Sequence, residues 1–133
     1  MAVCYPHVFL WLCVPLRLAL ACFVYASPVR WARIWALCLA AAAIGFTLLS
    51  LRIIHRDTGI ETCGRPIWWR PMRPIHALLY ATSAALAWKG YPLCAAVCLV
   101  IDVLVGIVAS RVYKGFTVRP KYRRLDERAS MLQ

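Results

Sequence analysis

The chain has 133 residues, 63% of them hydrophobic, and its sixteen lysines and arginines against five acidic residues give a net charge of +11. Its mean hydropathy is +0.69, far too apolar for the polar surface that a water-soluble monomer of this size requires. The composition argues against a water-soluble monomer and points to an integral membrane protein.

Four apolar segments follow in chain order. The first, about 8–26, has 19 residues, VFLWLCVPLRLALACFVYA, enough to cross a hydrocarbon core of roughly 30 Å. Pro15 and Arg17 interrupt its middle. Val24-Tyr25-Ala26 has the pattern a signal peptidase accepts, but residues 1–7 lack lysine and arginine, so the helix is expected to be retained. The second, 34–51, carries no charge across 18 residues and is the cleanest predicted span.

The third segment is short. Pro74 suits a first helical position, because its missing amide hydrogen would have no partner there. From Pro74 to Trp88 there are 15 residues, about 22 Å at 1.5 Å per residue, so spanning requires extension to Gly90 or local thinning of the bilayer. The fourth, 91–113, has 23 residues with Asp102 at its centre. No ten-residue alternation suggests a barrel, and irregular backbone in lipid leaves amides unpaired. The expected fold is all-α: a four-helix transmembrane bundle of two hairpins over residues 1–113, with helices at about 8–26, 34–51, 74–90 and 91–113. A basic interfacial loop, 52–73, joins the hairpins, and a basic, disordered cytoplasmic tail, 114–133, follows them.

Charge distribution orients this bundle. Twelve lysines and arginines fall on the side of the 52–73 loop and the tail, against Arg30, Arg33 and Lys89 on the other. Basic short loops stay in the cytoplasm, which places both termini there if the third segment spans. The tail is expected to contact anionic lipid headgroups. No nucleic-acid-binding motif accompanies its charge, so nucleic acid is not expected as a partner. A homo-oligomer or other membrane proteins are the remaining partner classes.

Two residues inside the segments are costly. Arg17 is tenth of 19 and Asp102 twelfth of 23, so their depths match, and each charge costs roughly 3 kcal/mol there unless paired. They are expected to form an intramembrane ion pair between the first and last helices. His76, Tyr80 and Ser83 make a polar stripe at i, i+4 and i+7, with Ser83 near the depth of Asp102; it is read as a hydrogen-bonded seam or the lining of a narrow path. Small residues at intervals of four (Ala41 and Gly45; Ala77, Ala81 and Ala85; Asp102, Gly106 and Ser110) predict close helix packing with little room for a cavity.

The 64–80 run, GRPIWWRPMRPIHALLY, is expected to anchor at the headgroup boundary through Trp68, Trp69, Arg70 and Arg73. Pro66, Pro71 and Pro74 should keep the approach extended.

Catalytic chemistry has no motif here. The three histidines, His7, His55 and His76, lack metal-ligand spacing, and no nucleophile elbow or phosphate loop is present. His55 and His76 give no reason to expect a haem. Of seven cysteines, Cys13, Cys22, Cys38, Cys94 and Cys98 fall in the helices as small apolar residues. Cys4 and Cys63 lie near water on the same reducing side, with Cys4 a palmitoylation candidate. No cofactor, metal site or enzymatic activity is expected.

Arg56-Asp57-Thr58-Gly59-Ile60-Glu61-Thr62-Cys63-Gly64, then Trp68-Trp69, Arg73-Pro74-Ile75-His76 and Tyr80, and later Ile101-Asp102-Val103-Leu104-Val105-Gly106, together resemble a family of small polytopic membrane proteins without an assigned activity. Its members occur in nucleocytoplasmic large DNA viruses of algae and protists and in some algal genomes. The resemblance covers about residues 52–110. It implies a Gly-containing loop with a Trp pair, an Arg-Pro-x-His helix start, and an aspartate followed by glycine in the last span. Arg70 departs from the small polar residue expected after the tryptophans. The functional expectation is a structural or interaction protein of a virion or organelle membrane, the alternative an oligomeric ion or proton channel using Arg17, Asp102 and the His76 stripe.

Overall fold

The computed structural model describes residues 9–54 and 69–117. Among them the fold is all-α, with no strand and four helices: α1 (Val14–Ala26), α2 (Val29–Ser50), α3 (Arg73–Trp88) and α4 (Pro92–Thr117). Two helical stretches, Arg30–Ser50 and Pro92–Val112, each 21 residues, are long and apolar enough to cross a membrane. Leu10–Ala26 is apolar but shorter, and α3 has 16 residues. His7, His55, Cys4, Cys63, Pro66, Trp68 and the tail beyond residue 117 lie outside the described residues.

Local chemistry sets the helix ends. Pro15 has no amide hydrogen and its ring crowds the carbonyl four residues back; the helical run before it, Phe9–Cys13, widens to a π-helical turn. Arg30 and Arg33 do not delay α2, which begins at Val29 rather than 34, directly after Pro28. A charge limits an apolar stretch, not a helix. Likewise α4 continues to Thr117, so the first residues of the expected tail, 114–117, are helical. Arg70–Met72 forms a 3₁₀ turn leading into α3, where the proline-rich approach was expected to be extended.

The two short connections are closed by hydrogen bonds. After α1, Trp35 Nε1 donates to Ser27 Oγ over 2.8 Å, and the Trp35 ring stacks on Phe23. After α3, the Tyr91 amide donates to Leu86 O over 2.9 Å and the Gly90 amide to Ala87 O over 3.1 Å. Gly90 has φ +81. These two bonds around a left-handed glycine form a Schellman cap, and Pro92 then starts α4 where its missing donor costs nothing. The end of α2 uses the same device without glycine: Ile53 N bonds Leu48 O over 3.1 Å while Arg52 sits at φ 60.

The helices run up, down, up and down, so both short turns lie at one end. Neighbours α1 and α4, α4 and α3, and α3 and α2 pack along their lengths. Near the short turns, Ala21 and Val24 of α1, Ala36 and Leu39 of α2, Ala84 and Ala87 of α3, and Ala95 and Leu99 of α4 form one buried cluster. The small-residue stripes only partly coincide with it. Gly106 and Ser110 are buried, but Ala41, Ala81 and Ala85 are exposed, and Gly45 faces open space. α3 instead buries Arg73, His76, Ala77, Tyr80, Ser83, Ala84 and Ala87, the broader face of a 3.6-residue period.

The two left-handed positions predict opposite outcomes. Gly90→Ala should lower stability by about 1–2 kcal/mol, since a Cβ is disfavoured at positive φ. Arg52→Gly should raise stability by a few tenths to about 1 kcal/mol. Thermal unfolding of both variants in one detergent checks the pair of signs.

Candidate functional site

In the first turn of α1, half-way along the helical run 9–26, Arg17 reaches across to α4, and Nη1 donates to Asp102 Oδ2 over 2.6 Å. The Asp102 side chain has 0% exposure and that of Arg17 18%. On the other carboxylate oxygen, Oδ1, sits Nδ1 of His76 from α3. Three helices therefore meet on one carboxylate.

The proton positions follow from donor chemistry. The carboxylate accepts from Arg17 on one oxygen, and on the other His76 Nδ1 is the donor, with Oδ1 accepting. Arg17 Nη1 and His76 Nδ1 are 3.5 Å apart; with hydrogen on both nitrogens, that approach is packing rather than a bond. Nη1 is the only Arg17 nitrogen with a hydrogen-bond partner among the described residues.

Phe46 of α2 completes the cluster without a polar atom. Its ring lies 5.5 Å from the His76 ring, 5.4 Å from the Tyr80 ring and 5.8 Å from the Arg17 guanidinium carbon. The guanidinium thus gains a cation–π contact where water is scarce. Nothing in the sequence pattern singled out Phe46, because an aromatic in an apolar segment is ordinary until its neighbours are known.

The polar stripe divides. His76 bonds Asp102, whereas Ser83 Oγ donates to Ala95 O over 2.9 Å, about two turns of α4 from Asp102. Ser83 is therefore not at the depth of Asp102. Hairpin counting would have found this: His76 and Asp102 stand 14 and 12 residues from Gly90, Ser83 and Ala95 only seven and five. Tyr80, 5% exposed, makes no hydrogen bond among the described residues.

The expected headgroup anchor is also divided. Arg73 is 2% exposed; its Nη1 donates to Leu49 O of α2 over 3.0 Å, and its guanidinium carbon lies 5.0 Å from the centre of the Trp69 ring. It satisfies a carbonyl in the last turn of α2, where a cation also suits the helix dipole, and so does not face lipid phosphates. Trp69 and Arg70 are half-buried.

Alongside the cluster, α1 and α2 separate to leave a groove of about 430 Å³. Leu16, Arg17, Leu20, Phe23, Phe46 and Tyr80 are among its walls. The close packing expected from small residues does not extend here, because α1 leans on α4 and meets α2 mainly near their shared turn. Among the described residues no group of three His, Cys, Asp or Glu side chains is arranged to hold a metal.

No known protein family, curated protein or solved structure matches the chain.

If the pair acts as a unit, Arg17→Gln or Asp102→Asn alone should destabilise the bundle by about 3–5 kcal/mol, since each strands a buried charge or its partners. Arg17→Leu with Asp102→Leu should cost far less than the sum of the corresponding single changes. Denaturant unfolding of the wild type, Arg17→Leu, Asp102→Leu and the double leucine variant in one micelle measures the coupling, and additive losses would refute it.

Proposed function

We propose that this chain is a multi-pass integral membrane protein with both termini on the cytoplasmic side, serving as a structural or interaction component without catalytic activity. The observation that carries the non-transporting part is the dry layer beside the charged cluster. Between Asp102 and the short turns, Leu39, Leu99, Ala87 and Ala95 are exposed by 1% or less, and the one polar side chain bonded there, Ser83, is committed to a backbone carbonyl. A proton or ion at Asp102 meets close-packed hydrocarbon rather than a path through the bundle.

The outer surface supports the membrane part. Leu16, Leu37, Ile44, Leu78, Leu93, Leu104 and Val108 all point outward from the four helices, an apolar area far beyond what monomeric soluble proteins expose. Near the short turns, Tyr25, Trp31, Trp88 and Tyr91 are exposed, and Arg33 lies over Trp88 at 5.7 Å. Aromatic rings with basic neighbours suit a headgroup boundary. The resemblance of the 52–110 region is what suggests a virion or organelle membrane.

One observation favours the alternative, an oligomeric proton or ion channel. Asp102 bonds a histidine, the side chain best suited to passing protons near neutral pH, and a pore between copies would not have to cross the sealed core.

Purified protein in sealed liposomes should show no proton or ion flux above protein-free liposomes, and cysteine labelling should find residues near both termini on one face. A flux abolished by Asp102→Asn in protein that still folds would replace this function with the channel. Termini on opposite faces would remove the topology.

A further inference from the structure

The groove between α1 and α2 has a composition that close packing does not explain. Its volume of about 430 Å³ falls within the roughly 300–1,000 Å³ range of small-molecule sites. Its walls are almost entirely apolar, with two exceptions: Arg17 and Tyr80. Each has spare hydrogen-bonding capacity. Arg17 uses Nη1 on Asp102, while Nη2 and Nε have no hydrogen-bond partner among the described residues. Tyr80 is 5% exposed, yet its hydroxyl has none either. Polar groups that face apolar surroundings without a partner are costly, and a bound acceptor would offset that cost.

The charge of the site selects the acceptor. Arg17 is already balanced by Asp102 at 2.6 Å, so the pair is neutral. A second carboxylate or phosphate at the guanidinium would be repelled by Asp102 and would carry an unbalanced charge into hydrocarbon. A carbonyl oxygen can accept from the guanidinium and the phenol without either cost. We propose that the α1–α2 groove binds a neutral lipophile bearing a carbonyl, of the quinone or long-chain ketone class. Its oxygen meets Arg17 and Tyr80, and its apolar body lies against Leu16, Leu20, Phe23 and Phe46. The ligand enters sideways from lipid, so the site depends on the membrane placement proposed above but not on the absence of transport.

The test uses the full chain in phosphatidylcholine nanodiscs titrated with decylubiquinone, a quinone with a ten-carbon tail. Tryptophan fluorescence reports occupancy, because Trp35 stacks on Phe23 at the groove wall. Quenching should saturate at one quinone per chain. Tyr80→Phe should weaken binding about tenfold, the loss of one well-formed hydrogen bond, and Ala42→Phe, which fills the groove from α2, should abolish the saturable phase. Helical circular dichroism confirms that each variant is folded; if Ala42→Phe is not, Ala19→Phe fills the same groove from α1. Decylbenzene, with the tail and no carbonyl, should compete at least tenfold more weakly, and palmitate should not compete.

Quenching that rises linearly and equally in wild type and variants overturns the site. Equal competition by decylbenzene overturns the role of Arg17 and Tyr80, and tight competition by palmitate overturns the neutral class. Protein that fails to enter nanodiscs at all overturns the membrane placement instead, which separates the two failures.

Discussion

A carboxylate with no exposure to solvent, placed half-way along an apolar helix, is the constraint around which this bundle is arranged. Asp102 requires a cation, and Arg17 requires an anion, so α1 must lie against α4 with their charges level. The second carboxylate oxygen must also be satisfied, and His76 brings α3 to it. Hydrophobic packing among alanines and leucines tolerates rotation and sliding, whereas this three-way contact does not. The pair therefore contributes registration more than net stability, since hydrocarbon of similar shape would pack there at less cost.

That commitment has a consequence on the opposite side of α1. Beyond Phe23 and Trp35, α1 follows α4, and α2 follows α3 down to the contact between Leu49 and Arg73. The two helices that share the shortest connection thus separate, and Phe46 stands at the base of the space between them. Here the arginine that holds the bundle in register also lines an apolar groove. Structural and ligand-binding roles need not compete, because they use different nitrogens of one side chain.

Particular residues show how far sequence pattern reached. The central positions of Arg17 and Asp102 could be counted from the apolar segments, and the structure puts these two side chains in contact. His76 belongs by spacing to a polar stripe with Tyr80 and Ser83, yet α3 is short and its first turns lie level with the middle of α4, so His76 meets Asp102 while Ser83 meets Ala95. Arg73 was read as a lipid contact from its tryptophan neighbours. It is buried because α2 ends beside it with carbonyls to satisfy. The spacing of Ala77, Ala81 and Ala85 suggests a packing face, but intervals of four drift around a helix, and only Ala77 of the three is buried.

Composition and periodicity by themselves determined that the described chain would be helical and apolar outside as well as inside. They also bounded the first turn within 27–33 and the second near residue 90, which the structure narrows to Ser27-Pro28 and Lys89-Gly90, and they showed that two charges would need an answer within the chain. These properties belong to single segments and are set by local sterics, backbone hydrogen bonding and hydropathy. Which side chains answer the charges, which alanines face a neighbour, and whether α1 and α2 close or part were decided only in the tertiary structure. Those outcomes depend on the rotation and lateral order of whole helices, which in this chain were settled by one carboxylate 85 residues from its arginine.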